Sequence, residues 1–212
     1  MPLLDELNPS NGPLTQGLFT NKFGTNLSTL ENQSGVFINN LCFNEGTLIL
    51  TLNSNNEDVW VEIEKLQIGQ LVKTYLHGYR KVKHLGKGIL KNNVAEPLNC
   101  MYKITKNNNN IFKDLIITGG HSILVDTIED NNENMLNLKY FNNNVYHIDD
   151  KLLLLSCASK NFIQIDDVNE YTYYHFVLEN DGDINKCYGV WANGILTETP
   201  SEKFFLSNLV YH

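Results

Sequence analysis

From Leu41 onward the chain is written in short stretches where apolar and polar residues alternate: TLILTLN at 47–53, VWVEIEKL at 59–66, QLVKTYL at 70–76 and YRKVKHL at 79–85. A period of two sends successive side chains to opposite faces of a pleated strand, so each stretch predicts a half-buried β-strand. The same reading holds for CMYKITK at 100–106, LIITGGHSILV at 115–125, KLLLLSC at 151–157, YYHFVLE at 173–179, CYGVW at 187–191 and GILTE at 194–198. Asn, Asp and Gly mark turns between them. No stretch keeps a helical apolar period for more than about ten residues. Helix is therefore expected to be minor and the fold class all-β. Asn193-Gly194, between VWA and IL, predicts a two-residue type I′ hairpin turn. Replacing Asn193 by alanine would weaken such a hairpin by about 1 kcal/mol through the turn dihedrals.

Residues 1–41 break this pattern. Pro2, Pro9, Pro13, Gly12, Gly17, Gly24 and Gly35 punctuate a polar segment with only short apolar pieces, which predicts an appendage and not a core. The opening MPLLDELNPS lacks the basic and then apolar stretch of a leader, and no apolar run approaches the roughly 18 to 20 residues of a membrane helix.

Composition narrows the function classes. Acidic residues outnumber basic ones 24 to 16, net charge is -8, and Arg80 is the single arginine, so a phosphate-reading surface is not expected. No nucleic acid and no membrane are expected as partners. Asparagine reaches 31 of 212 residues and collects at 107–110, 131–132 and 142–144. Such runs predict loops, because the short amide competes for backbone hydrogen bonds. With lysine far above arginine they suggest AT-rich coding, as in some giant viruses or protists. An intracellular or virion-associated protein is expected. The four cysteines, Cys42, Cys100, Cys157 and Cys187, form no CxxC pair, so neither a metal site nor a disulfide framework is indicated, and no cofactor is called for.

Two segments carry candidate chemistry. Cys42 opens the strand-rich region and precedes a turn at Asn44, Glu45 and Gly46; it is either a nucleophile awaiting activation or a small buried hydrophobe. In LIITGGHSILV, Gly119-Gly120 interrupts a strand and presents Thr118 three residues before His121. This is either a glycine bulge beside a surface histidine, or a place where backbone amides hold an oxyanion while His121 moves a proton. His175, in YYHFVL, suits a core histidine or a proton acceptor. His77, His84, His147 and His212 read as surface or loop residues, and the other three cysteines as packed thiols.

Together these blocks resemble the Hint superfamily of hedgehog processing domains, inteins and bacterial intein-like proteins. The resemblance covers most of 42–199. CFNEGT at 42–47 is similar to an opening Cys-Phe-x-x-Gly-Thr, and VEIEKLQIGQLVKT at 61–74 to the following Val-x-x-Leu-x-x-Gly-Asp-x-Val-x-Thr. Thr118 to His121 matches Thr-x-x-His, while YHFVLEN at 174–180 and WANGILTET at 191–199 resemble the Tyr-x-His and Ala-x-Gly-x-x-x-Glu segments. The resemblance implies a flattened horseshoe of long curved strands with pseudo-two-fold symmetry, whose two ends meet near the centre. It divides the chain into a flanking segment at 1–41, a Hint domain at 42–199 and a tail at 200–212.

The implied activity is single-turnover self-cleavage between Leu41 and Cys42. Cys42 attacks the Leu41 carbonyl, His121 protonates the departing nitrogen, Thr118 and nearby amides hold the oxyanion, and His175 takes the thiol proton or assists resolution. The substrate is the protein's own N-terminal segment, and the acceptor is water or another nucleophile. Gln70 departs from the family's acidic residue at a turn. Glu198, Thr199 and Pro200 stand where a splicing relative has His, Asn and a nucleophile, so splicing is not expected. A catalytically silent structural or binding module and a thiol peptidase acting in trans are the rival classes.

Overall fold

The structure is a computed structural model that describes residues 41–106 and 111–207. The expected flanking segment, except Leu41, lies outside the described residues, as do Asn107 to Asn110 and the end of the expected tail with His212.

The described residues form fourteen strands, all paired antiparallel, and two short helices. The all-β expectation is met. The strands are β1 (Phe43–Asn44), β2 (Leu48–Leu52), β3 (Asp58–Glu62), β4 (Leu71–Lys73), β5 (Tyr79–Lys91), β6 (Met101–Ile104), β7 (Leu115–Thr118), β8 (Ser122–Val125), β9 (His147–Ile148), β10 (Lys151–Leu155), β11 (Ile163–Gln164), β12 (Glu170–Leu178), β13 (Gly189–Ala192) and β14 (Ile195–Glu198). Most apolar alternations of the sequence became strands within a few residues of their expected bounds. VWVEIEKL is shorter than expected as a strand, because the chain turns into a 3-10 segment at Ile63–Lys65. LIITGGHSILV makes two strands, β7 and β8, with the glycines in the turn between them.

Strand order explains where the site lies. Across the sheet the strands run β11-β6-β7-β1-β12-β5-β4-β2-β13-β14-β8-β10-β9, with β3 on β2. The two-residue β1 is wedged between β7 and β12, Phe43 facing Ile117 on one side and Tyr174 on the other. The thirteen-residue β5 pairs with β12 from Lys91 to Val82 and with β4 at its start, so it joins the two halves of the strand order at its middle. Phe43, Ile49, Val72, Leu115, Ile117, Leu155, Phe176 and Val190 are fully buried in one core. Each such side chain contributes about 1.5 to 3 kcal/mol by leaving water.

One asparagine reading is corrected by the structure. Asn131 and Asn132 were expected in a loop but form the first turn of α1 (Asn131–Tyr140), because the Asp130 side chain accepts the Asn132 and Glu133 amides and caps it. Farther along, the buried Asn137 donates to the Leu153 carbonyl and accepts from the Leu155 amide, taking the place of a strand residue on β10. The type I′ turn is present, with φ of 49° at Asn193 and 97° at Gly194, and Ala192 pairs with Ile195.

Asn193 does more than turn the chain. Its Oδ1 accepts from the Leu48 amide at 2.7 Å and its Nδ2 donates to the Asp114 carbonyl at 2.8 Å, with the residue buried. Asn193→Ala therefore removes the side-chain partners of two part-buried backbone groups in β2 and the β6–β7 connection as well as disturbing the turn. The expected loss, read by urea unfolding, is about 2 to 4 kcal/mol. A loss near 1 kcal/mol would mean that the turn alone matters.

Candidate active site

The wedge of β1 fixes Cys42, which immediately precedes it. The Cys42 amide donates to Thr118 Oγ1 at 3.1 Å, and the Thr118 amide donates back to the Cys42 carbonyl at 3.1 Å. This reciprocal pair binds the end of β7 to the start of β1 across 76 residues of sequence. On the opposite side, β12 delivers His175, whose Nδ1 lies 3.9 Å from the Cys42 Sγ. Gly86, opposite His175 in the β5–β12 ladder, leaves room for its ring: a Cβ there would lie 2.1 Å from Nε2.

His121 comes from the turn after β7. Its ring meets Phe43 edge-on at 4.3 Å between centroids, and its Nε2 is 3.0 Å from the Glu198 carbonyl oxygen. That oxygen can only accept, so Nε2 carries the proton and the neutral ring keeps its lone pair on Nδ1, which is buried and makes no hydrogen bond. Glu198 reaches this place because Thr197 of β14 pairs with Ile123 of β8, and its Oε1 also accepts the Ser122 amide at 2.8 Å. The structure thus brings Leu41, Cys42, Thr118, His121 and His175 into one cluster and adds Glu198 to it.

Burial sets the protonation states. Desolvation pushes the Cys42 thiol well above its ordinary value, so the resting sulfur holds its proton. Desolvation lowers His121 to about 4, with the Cys42 and Glu198 backbone pulling back, and lowers His175 to about 4, with neighbouring His121 adding to the effect. Both rings are neutral at pH 7. Burial raises the Glu198 carboxyl to about 8, with Ser122 pulling back. Cys42, Thr118, His121 and Glu198 are buried, whereas His175 keeps some exposure.

Three expectations change at this resolution of detail. The amides of Gly119, Gly120 and His121 donate to the carbonyls of Cys100, Leu98 and Thr118 at 2.8, 2.8 and 2.9 Å. Each proton is spent, so these groups are not oxyanion donors. The Thr118 hydroxyl oxygen accepts the amide hydrogen of the Leu41-Cys42 peptide. His77 and His84 are part-buried and lie against the carboxylates of Asp149 and Glu202, at 2.7 and 3.1 Å. Gly86 and Glu198 were missed as site residues. The only available signals were a glycine inside a strand-like run and an acid ending an apolar alternation.

Among the described residues no group of three His, Cys, Asp or Glu side chains is placed to hold a metal ion, and no helix is long and apolar enough to cross a membrane. No protein-family model matches the chain, and no curated protein matches it.

The carboxyl and the histidines give opposite pH signatures. Glu198 binds its proton more tightly folded, at about 8 against 4.5, so its stabilisation is complete below about 4.5 and is lost as pH rises through 8. The histidines bind theirs less tightly folded, at about 4 against 6.5, so their stabilisation is complete above 6.5 and is lost as pH falls through 4. Unfolding free energy measured in urea is expected to decline between pH 6.5 and 8, the interval governed by Glu198 among these three. Glu198→Gln, which retains an acceptor for the Ser122 amide, should flatten that decline. An equal slope in the variant would refute the assignment.

Proposed function

We propose that this chain is a self-processing domain of the Hint type, which cleaves its own Leu41-Cys42 bond by an N-to-S acyl shift and does not splice. The observation that carries the reading is the convergence of Thr118 from β7, His175 from β12 and His121 from the β7–β8 turn on the peptide bond of Cys42, the residue just before β1. The order of the four sequence blocks supports it independently.

The reaction follows from the protonation states. The Cys42 sulfur attacks the Leu41 carbonyl carbon while its proton passes toward His175 Nδ1, the nearest ring nitrogen. Because the resting thiol is protonated, attack and proton removal occur together. Thr118 holds the peptide nitrogen in place, and the proton taken up by His175 passes to Nδ1 of the neighbouring His121, which delivers it to that nitrogen as the C–N bond breaks. In balance one S–C bond forms, one C–N bond breaks, and the thiol proton ends on the Cys42 amine. Thioester formation from an amide is uphill, so water or another nucleophile must capture the acyl group.

The deeply buried thiol favours one competing reading, a silent module that keeps this arrangement for packing alone. Hydroxylamine or dithiothreitol at neutral to mildly alkaline pH separates the two. The expected products by intact mass are residues 1–41 and 42–212, with none from Cys42→Ala. His121→Ala should slow release by about 10² to 10⁴, whereas His77→Ala should leave it unchanged. Cleavage elsewhere, cleavage in Cys42→Ala, or an uncleaved wild-type chain would sink the self-processing reading.

A further inference from the structure

The segment after β14 was expected to be a tail, yet it includes α2 (Glu202–Ser207), which packs beside the reactive cluster. Glu202, at the start of α2, accepts from Asn180 Nδ2 at 2.6 Å and Lys83 Nζ at 2.7 Å, and pairs with His84 Nε2 at 3.1 Å. Lys83, Asn180 and His84 hold its carboxyl down to about 2, so this latch stays charged throughout the neutral range.

One turn on, the buried Phe205 lies between two imidazoles. It stacks on His84 at 5.4 Å and 16°, and meets His175 edge-on at 5.1 Å and 64°. The same ring closes over Gly86, where a Cβ would come within 3.1 Å of Phe205 Cε2. His175 is therefore bounded by Gly86 beneath, Phe205 of α2 and Tyr173 of its own strand beside it, and the Cys42 thiol at Nδ1. The titratable groups around this contact are Cys42 from the start of β1, His121 from the β7–β8 turn, Tyr173 of β12, Lys83 and His84 of β5, and Glu202 of α2.

We propose that Phe205, clamped by the Glu202 latch, is a positioning residue that holds the His175 ring over Gly86 with Nδ1 turned to the Cys42 thiol. The catalytic consequence rests on the self-cleavage proposed above, whereas the positioning contact is testable without it. Gly86 leaves space beneath the partly buried ring and Tyr173 flanks it within its own strand, so the aromatic edge from α2 supplies the restraint from outside the sheet. Residues 200–207 then belong to the working domain.

The test compares Phe205 with Phe205→Ala and Phe205→Leu in the full-length Cys42→Ala chain, which keeps the peptide bond intact. Side-chain NMR titration of the histidines reads their midpoints. Phe205→Ala is expected to move His175 upward from about 4 toward 6.5, leave His121 in place, and be largely reversed by Phe205→Leu. With Cys42 restored, Phe205→Ala should slow hydroxylamine release by about 10-fold to 10²-fold, as for a catalytic group displaced by a fraction of an ångström. An unmoved His175 midpoint overturns the proposal, as does an equal shift of His121 and His175, which reports general loosening. If His175 shifts alone while the wild-type chain does not cleave, the positioning role stands and self-cleavage falls.

Discussion

Everything in this site depends on a two-residue strand held on both edges. β1 is too short to persist alone, and its place between β7 and β12 is secured by the buried Phe43 and by the reciprocal bonds between Cys42 and Thr118. Those two hydrogen bonds settle the position of the Leu41-Cys42 peptide against both histidines. If β1 slipped by one residue, the strand's side chains would exchange faces and the thiol would leave His175. Register here is therefore a chemical constraint as well as a packing one.

The interior is polar at its centre but uncharged. Three buried groups, the Cys42 thiol, His121 and the Glu198 carboxyl, and the partly buried His175 make up this cluster, and desolvation favours the neutral form of each. Neutrality is what makes the cluster tolerable, since an unpaired buried charge would cost several kcal/mol. The same neutrality means that the resting cluster holds neither a thiolate nor an imidazolium. The Glu198 carbonyl fixes the His121 tautomer, and the Glu198 carboxyl secures the β8 backbone at Ser122. One residue thus joins the last strand to the turn that carries His121.

Much of the strand content was legible in the sequence, because a period of two is a local signal that survives into the fold. The Asn193-Gly194 turn was legible for the same reason, as its dihedrals are set by two adjacent residues. Cys42, Thr118, His121 and His175 could be nominated from their local settings and block order. The helix at Asn131 was obscured because asparagine is a weak helix former, and the cap on Asp130 with the Asn137 contact to β10 outweighs that preference.

Sequence by itself determined which segments are extended, where the chain turns and which side chains offer sulfur and imidazole, since each is a property of a residue and its near neighbours. Tertiary structure alone decided that Gly119, Gly120 and His121 spend their amides on carbonyls, that Thr118 grips a nitrogen, that Gly86 makes room for His175, and that Glu198 and Phe205 reach the cluster. The physical reason is the same throughout. Hydrogen-bond satisfaction, excluded volume and desolvation depend on what lies across the sheet, and in an antiparallel fold the residue across the sheet is often far away in sequence.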